Sequence, residues 1–218
     1  MALNKLKYNS LNLTPAANKA ISFDSDADAL EATLGGGSIT FIKKLTASSD
    51  GTLSFVDGSS SVVLDSTYKE YMFIFKDIHP SNSTVGFYFN GSADTGSNYN
   101  VAKTTTYFLS RHAEDDGSTE LSYKTGLDLA QGTGFQPLSV DQINDNDSSM
   151  CGILHLFNPS STTFVKHFIC RTQQMQVDDS MENYSSGYFN TTSAVDAIQF
   201  KYSAGNIDAG TITLYGIN

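Results

Sequence analysis

Two cysteines and two histidines, Cys151, His155, His167 and Cys170, are residue types that could hold a metal. Thiolate sulfur and imidazole nitrogen are the ligands of structural zinc sites. The segment that contains them predicts two paired strands, and side chains alternate between the two faces of a strand. In the register argued below, His167 points to the opposite sheet face from the other three, so four ligands cannot converge. We interpret the cysteines as core thiols and place His155 or His167 at a sheet rim.

The register of this strand pair follows from the loop between residues 151–157 and residues 164–170. Pro159 presets the backbone for the second position of a turn and cannot continue a strand ladder, so the loop begins there. The proposed register opposes Phe157 with Phe164, Ile153 with Phe168, His155 with Lys166 and Cys151 with Cys170. Opposed strand residues are close enough for a disulfide in some geometries. A bridge between Cys151 and Cys170 is therefore an alternative to two free thiols, and we predict it only where the protein meets an oxidant late.

Three acidic clusters have the composition of cation-binding loops. Asp24, Asp26 and Asp28 have the alternate spacing that begins a calcium loop. Ala29 stands at the sixth position, where glycine is required, and Gly35 at the twelfth, where glutamate belongs. The other two clusters are residues 114–117 and 144–147. Both match ordinary turn chemistry, with a weak cation site at a subunit contact as the alternative, and we expect no resident metal.

No catalytic constellation is visible in the sequence. A Gly-x-Ser-x-Gly elbow and Gly-rich phosphate loops are both missing from it. His79 and His112 lie at apparent strand ends next to loops, but neither has an identifiable partner, and we interpret them as surface residues. We therefore expect a protein that is not an enzyme, with no catalytic residue and no cofactor.

The elements that position these residues are predicted to be strands. Helical periodicity is nearly absent, and short β-branched and aromatic segments recur between Gly, Ser, Asn and Asp clusters. This pattern indicates an all-β fold, an antiparallel, jelly-roll-like β-sandwich of roughly ten strands. The predicted strands are residues 39–45, 52–56, 61–64, 70–78, 84–89, 104–110, 151–157, 164–171, 197–202 and 211–215. The last two alternate around a turn-rich loop, so we expect the chain to end in a strand pair.

Residues 1–38 differ from the β-sandwich domain predicted over residues 39–218. They show little alternation and end in the glycine triplet of residues 35–37, and we interpret them as an extended N-terminal leader or anchor. Residues 26–34 predict a short helix, because Ala, Leu and Glu favour one and Asp26 can cap it. The first nine residues lack the apolar stretch of a secretory signal, and the run Tyr71–Phe75 is too short to cross a membrane.

Composition excludes several partners. The chain has 218 residues, of which 39% are hydrophobic, enough for one sizeable core. Thirteen Lys and Arg against 23 Asp and Glu give a formal net charge of −10. Such a chain is repelled by phosphate backbones and by acidic membrane surfaces, so we expect neither a nucleic-acid partner nor a membrane partner.

Five phrases spread along the chain resemble a family of small virion structural proteins of tailed phages, especially marine phages of cyanobacteria. They are KYNSLNLTPAA at 7–17, FIKKLTAS at 41–48, VVLDSTYKEY at 62–71, LHLFNPSS at 154–161 and SAGNIDAGTITLYGI at 203–217. The resemblance implies a non-enzymatic particle component with a β-sandwich core. It brings no catalytic residues.

The function expected from this resemblance is that of a peripheral virion module, a capsid decoration or a fibre or baseplate component, anchored by residues 1–38. Its partners would be other virion proteins, from the capsid or the tail, and it would form a homo-oligomer, for example a trimer. It would be assembled in the host cytoplasm and reside in the virion.

Two alternatives to that function remain. The first is a tail-associated receptor- or glycan-binding module, whose candidate loops are residues 90–100 and 141–149, because Asp, Asn and Tyr can hydrogen-bond to sugars and stack on them. The second is a polysaccharide depolymerase, for which the sequence nominates no acid pair.

Overall fold

The computed structural model describes residues 20–23, 30–33 and 38–218. The chain divides into two units, residues 1–40 and 41–218. In the first unit, β1 (Ala20–Phe23) and β2 (Leu30–Thr33) pair antiparallel. The helix predicted over 26–34 is wrong for residues 30–33, because pairing with β1 satisfies a backbone that a short isolated helix would leave marginal. The carboxylates of Asp24, Asp26 and Asp28, the glycine triplet and residues 1–19 lie outside the described residues.

The β-sandwich prediction is confirmed: twelve strands form two packed antiparallel sheets. The large sheet has the order β3-β14-β5-β10-β11-β12-β7-β8, and the small sheet has the order β4-β13-β6-β9. The strands are β3 (Ile39–Thr46), β4 (Leu53–Val56), β5 (Glu70–Pro80), β6 (Phe87–Ser92), β7 (Lys103–Ala113), β8 (Thr119–Tyr123), β9 (Gln136–Pro137), β10 (Met150–Phe157), β11 (Lys166–Gln176), β12 (Asp179–Phe189), β13 (Ala197–Tyr202) and β14 (Ile207–Ile217). The part of the chain that the structure describes contains no helix, and therefore none that could span a membrane.

An aromatic cluster joins the two sheets. The ring of Phe200, on β13 of the small sheet, lies 5.4 Å from that of Phe73 and 5.3 Å from that of Phe75, both on β5 of the large sheet. Phe55 and Phe87 complete the cluster, and all five side chains are buried. Edge-to-face aromatic pairs add to the free energy of area burial, so this cluster fixes how the sheets stack.

Two predicted strands and the predicted final strand pair differ from what is observed. Residues 61–64 form a turn and an irregular segment, although Val62 and Leu64 are buried in the core. The strand predicted from residue 84 begins at Phe87, because Thr84 has a positive φ of 59°. The final strand pair is wrong, since β13 pairs with β4 and β6 while β14 pairs with β5. The chain crosses from one sheet to the other between them.

The longest strand that the sequence did not reveal is β12, which pairs with β11 and β7 over its full length. Its core-facing residues include Asn183 and Ser185, so the apolar alternation that marks a strand is lost. Asn183 is satisfied inside the core, where its Oδ1 accepts the hydroxyl of Tyr107 at 2.7 Å. A satisfied polar interior of this kind hides a strand from pattern analysis.

The predicted register between β10 and β11 is also wrong. Leu154 lies opposite Cys170, and Cys151 lies opposite Gln173 instead of its predicted partner Cys170. When the register shifts by an odd number of residues, two residues expected on one face of the sheet lie on opposite faces. Cys170 therefore points into the core while Cys151 is exposed, and both thiols are free. The cause is the loop between the strands, which bonds to its neighbours: Asn158 N donates to Lys69 O, and Val195 N donates to Pro159 O. The predicted turn at Pro159 is present, with the amide of Ser161 donating to the carbonyl of Asn158 at 3.1 Å, but the loop continues to Val165 before β11 begins.

Candidate functional site

The four residues considered for zinc lie on two faces of the large sheet. Cys151, His155 and His167 lie on its solvent side, whereas Cys170 is buried. The one residue of the four on the core side is therefore Cys170, and the prediction that His167 lies on the other face from Cys151 and His155 is wrong. Burial raises the pKa of the Cys170 thiol, while His155 contacts the carboxylate of Glu70. Among the described residues, no group of three or more His, Cys, Asp or Glu side chains is placed to hold a metal.

The two strand-end histidines contact acidic or backbone oxygens of adjoining loops. The Nε2 of His79 lies 3.1 Å from the carbonyl oxygen of Asp145, and its Nδ1 lies 3.8 Å from Asp208. The Nε2 of His112 lies 3.0 Å from the Oδ1 of Asp116, in the β7–β8 turn. These contacts tie strand ends to loops.

The acidic clusters lie in turns. In residues 114–117, the amide of Gly117 donates to the Oδ1 of Asp115 at 2.7 Å, and the amide of Asp116 donates to the carbonyl of Ala113. In residues 144–147, the carbonyl of Asp145 accepts the amide of Ser148. The first cluster lines a surface cavity of about 700 Å³ together with residues 177–179. The hydrogen bonds are those of ordinary turns.

The two loops predicted to bind glycans use their polar groups internally. Asn90 is buried in β6 and donates to the carbonyl of Tyr99 at 2.7 Å. The carboxylate of Asp94 accepts hydrogen bonds from Ser92 and Asn98, which lower the pKa of Asp94 to about 2. In the second loop, the backbone of Gln142 pairs with Val85. The side chains of Asn90 and Asp94 and the backbone of Gln142 therefore hold their loops in shape.

A different polar site arises because the two sheets differ in width. The small sheet has four strands, and where the large sheet extends past them, residues 136–140 lie over its inner face, bonded to the side chains of Thr105, Thr172 and Gln174. A second apolar cluster forms there, with Leu127 packed against Tyr107, Leu109, Val140 and Met181. A loop covers a sheet less completely than another sheet does, and a cleft of about 430 Å³ remains.

The cleft combines an apolar floor with polar walls. Leu109, Leu127, Val140 and Met181 form the apolar part. The polar side chains come from both sheets. On the side of the large sheet they are Arg111, Glu120, Lys124 and Gln176. On the side of the small sheet and its loops they are Thr84, Tyr88, Asp141 and Ser203. The lining therefore has more polar side chains than apolar ones.

Most charges in the cleft are paired, but two polar atoms are not. Lys124 contacts the carboxylate of Glu120, and the Nη1 of Arg111 lies 3.4 Å from Asp179. The Nε of Arg111 and the Oε1 of Gln176 are buried and have no hydrogen-bond partner among the described residues. A buried polar group without a partner costs about 1–3 kcal/mol, which a ligand could recover.

Gly86 allows Tyr88 to lie at the cleft. A Cβ on Gly86 would be 2.4 Å from the Cε1 of Tyr88 and 2.7 Å from the carbonyl oxygen of Ser139. The amide of Gly86 donates to the Oγ of Ser203 at 3.1 Å, which holds this strand end in place. Burial raises the pKa of Tyr88, and the carboxylate of Asp141 raises it further, so the hydroxyl stays protonated.

The solvent side of the large sheet carries a second candidate surface, which we call the outer row. Cross-strand pairing aligns its six residues, each directly opposite the next: Ile74, Ile153, Arg171, Tyr184, Phe108 and Tyr123. The rings of Phe108 and Tyr184 stack with centroids 4.6 Å apart. Ile169 and Leu121 flank the row and are 55% and 76% exposed.

Charge on this side of the sheet is locally balanced. Arg171 pairs with Glu182, and its guanidinium carbon lies 5.5 Å from the ring centroid of Tyr184. His155 is beside Glu70. Because Arg171 is paired with Glu182, the outer row is a nearly neutral, apolar strip, although the whole chain carries a formal charge of −10.

The fold and these two surfaces define an antiparallel β-sandwich protein with a polar cleft and an exposed apolar strip on its large sheet. Comparisons with protein-family models, with curated proteins and with solved structures found no match. The family that the five sequence phrases resemble therefore stays a prediction.

Proposed function

We propose that this chain is a non-enzymatic structural protein of a tailed-phage virion. It would act as a peripheral module, a capsid decoration or a fibre or baseplate component, anchored by residues 1–38. The observation that carries the proposal is the outer row with its flanking Ile169 and Leu121. Large contiguous apolar patches mark interaction sites on soluble proteins, and the outer row with its flanking residues places exposed apolar side chains on neighbouring strands.

The occupant that fits the outer row best is another copy of the same chain. Two molecules of charge −10 repel each other, so copies associate most easily through a strip whose charges are already paired. A different protein without this negative charge would not be repelled, so its contact surface would not have to be neutral. This supports the expected homo-oligomer.

The oligomeric state of the full chain tests this contact. We expect sedimentation of the wild-type protein to give an oligomer, and Ile169→Glu or Phe108→Glu to give a monomer, because each buries a charge in the contact. Thr192→Glu is the matched control, since Thr192 is exposed in the β12–β13 loop. A wild-type monomer at micromolar concentration would remove the outer row as a contact between copies.

Labelling tests the location. Antibody against the sandwich should decorate intact particles at the head, the tail or the fibres. A chain that lacks residues 1–38 should fold but fail to join particles. Normal incorporation of that shorter chain would contradict the anchoring role, and unlabelled particles would contradict the function.

A second function, a tail-associated receptor- or glycan-binding module, is favoured by one specific observation, the cleft that contains Arg111 and Gln176. Binding of the isolated protein to host cells would support it. Binding to capsids alone would favour the decoration role.

A further inference from the structure

We propose that the cleft between the inner face of β7, β8 and β12 and the edge of the small sheet binds a neutral saccharide unit. Arg111 and Gln176 would supply its polar contacts, and Tyr88 would form an aromatic wall. This inference rests on the second function proposed above and names the ligand class of its site.

The two unpartnered atoms indicate the ligand's chemistry. The Nε–H of Arg111 is a donor and the Oε1 of Gln176 is an acceptor, and both residues line the same cleft, so a small rotation of either side chain can present its atom to a ligand. A hydroxyl group donates and accepts at once, so a ligand with several hydroxyls can satisfy both atoms. A ligand that only accepts, such as sulfate, leaves Gln176 unsatisfied.

The charges of the cleft favour a neutral ligand. Its lining carries two cations, Arg111 and Lys124, and two carboxylates, Glu120 and Asp141. Both cations already have acidic partners, Asp179 and Glu120 respectively. An anionic ligand would have to compete with these carboxylates, and a cationic ligand with Arg111 and Lys124.

The apolar part of the lining suits the C–H face of a sugar ring. Leu109, Val140 and Met181 are buried, and the Tyr88 ring adds an aromatic surface with a polar end. The volume of about 430 Å³ lies in the range of small-molecule sites, roughly 300–1,000 Å³. The site therefore has room for a short oligosaccharide end.

The test is binding of the full chain to an array of neutral, sialylated and sulfated glycans. We expect neutral glycans to bind, and Gln176→Leu and Arg111→Lys each to weaken binding at least tenfold. Arg111→Lys keeps the charge beside Asp179 and removes the Nε donor. Gln199→Leu, on β13 of the small sheet, is the matched control and should bind as the wild type does.

A second measurement uses the wild-type protein alone, so it does not depend on folding of the variants. Titration with the best-binding neutral glycan should shift the NMR signals of the Gln176 side-chain amide and the Tyr88 ring, while the signals of Gln199 stay unchanged. Shifts confined to other residues would overturn the site.

The remaining outcomes separate this inference from the function on which it rests. Binding only to sialylated or sulfated glycans, or to none, would overturn the neutral saccharide site even if the protein labels the tail. Neutral glycan binding at the cleft by a protein that labels only capsids would leave the site intact and overturn the receptor function.

Discussion

At the residue scale, two buried lysines are the most unusual feature of the sandwich. The Nζ of Lys103 donates to Asn90 Oδ1 and Gly134 O, both at 2.7 Å, and to Val101 O at 3.0 Å. Lys166 is also buried, and Phe189 lies opposite both lysines in the sheet. No carboxylate is among the hydrogen-bond partners of Lys103 in the described chain, and burial lowers its pKa to about 7.

This lysine should make the stability of the protein rise with pH. An unfolded lysine keeps its proton up to a pKa of roughly 10.4, whereas the folded Lys103 begins to lose it near 7, so folding is favoured as protons are removed. We expect the free energy of unfolding to increase between pH 7 and about 8.5, by at most about 1.4 kcal/mol per pH unit. Chemical denaturation across this range measures it.

Lys103→Met should reduce the slope of this profile, whatever its effect on stability at one pH, while Lys166, whose pKa burial also lowers, keeps its own contribution. Lys76→Met, at an exposed position of β5, should keep the wild-type slope. A flat wild-type profile would show that Lys103 stays charged in the fold. The window ends at about pH 8.5 because the Cys170 thiol, whose pKa burial raises, opposes the effect at higher pH.

At the scale of elements, the register of β10 and β11 gives the two cysteines different reactivity. Cys151 is exposed on the outer side, whereas Cys170 is buried opposite Leu154. We expect a thiol reagent to label one cysteine in the native protein and two in denaturant, and Cys151→Ser to abolish native labelling. Native protein that shows no free thiol until it is reduced would restore the cross-strand bridge.

The sequence predicted strands well where burial follows apolar alternation. Residues 197–202 match β13, and residues 70–78 lie within β5. It also placed a strand over residues 164–171, most of which lies in β11, but its register against β10 is wrong. The core-facing side of β11 includes Lys166, Thr172 and Gln174, and such a polar side gives no apolar alternation from which the register could be read.

The cleft was beyond sequence analysis for a different reason. Tyr88, Arg111 and Gln176 come from three separate strands, and no motif or spacing links them. Their proximity depends on how far the large sheet extends past the small one, which is a tertiary property. The outer row likewise needs the correct register of six strands before its side chains align.

At the scale of the whole molecule, net charge should control self-association. Copies that carry −10 repel each other at low ionic strength, where the screening length is roughly 30 Å, and less at physiological salt, where it is about 8 Å. We expect the dissociation constant of the oligomer to fall as salt rises from 10 to about 150 mM. Weaker association in salt, measured by sedimentation, would instead indicate contacts made by opposite charges between copies.

The unequal width of the two sheets has a consequence for evolution. Lys124, Leu127 and Asp141 line the cleft and contribute no side chain to the main core. Leu138, which lies between them in the sequence, is held in place because its amide donates to the carbonyl of Phe87 in the aromatic cluster. Substitutions at the three lining positions can therefore reshape the cleft while the aromatic cluster that joins the sheets stays constant. A lineage that keeps this sandwich can change what the cleft accepts, and its diversity should concentrate at these positions.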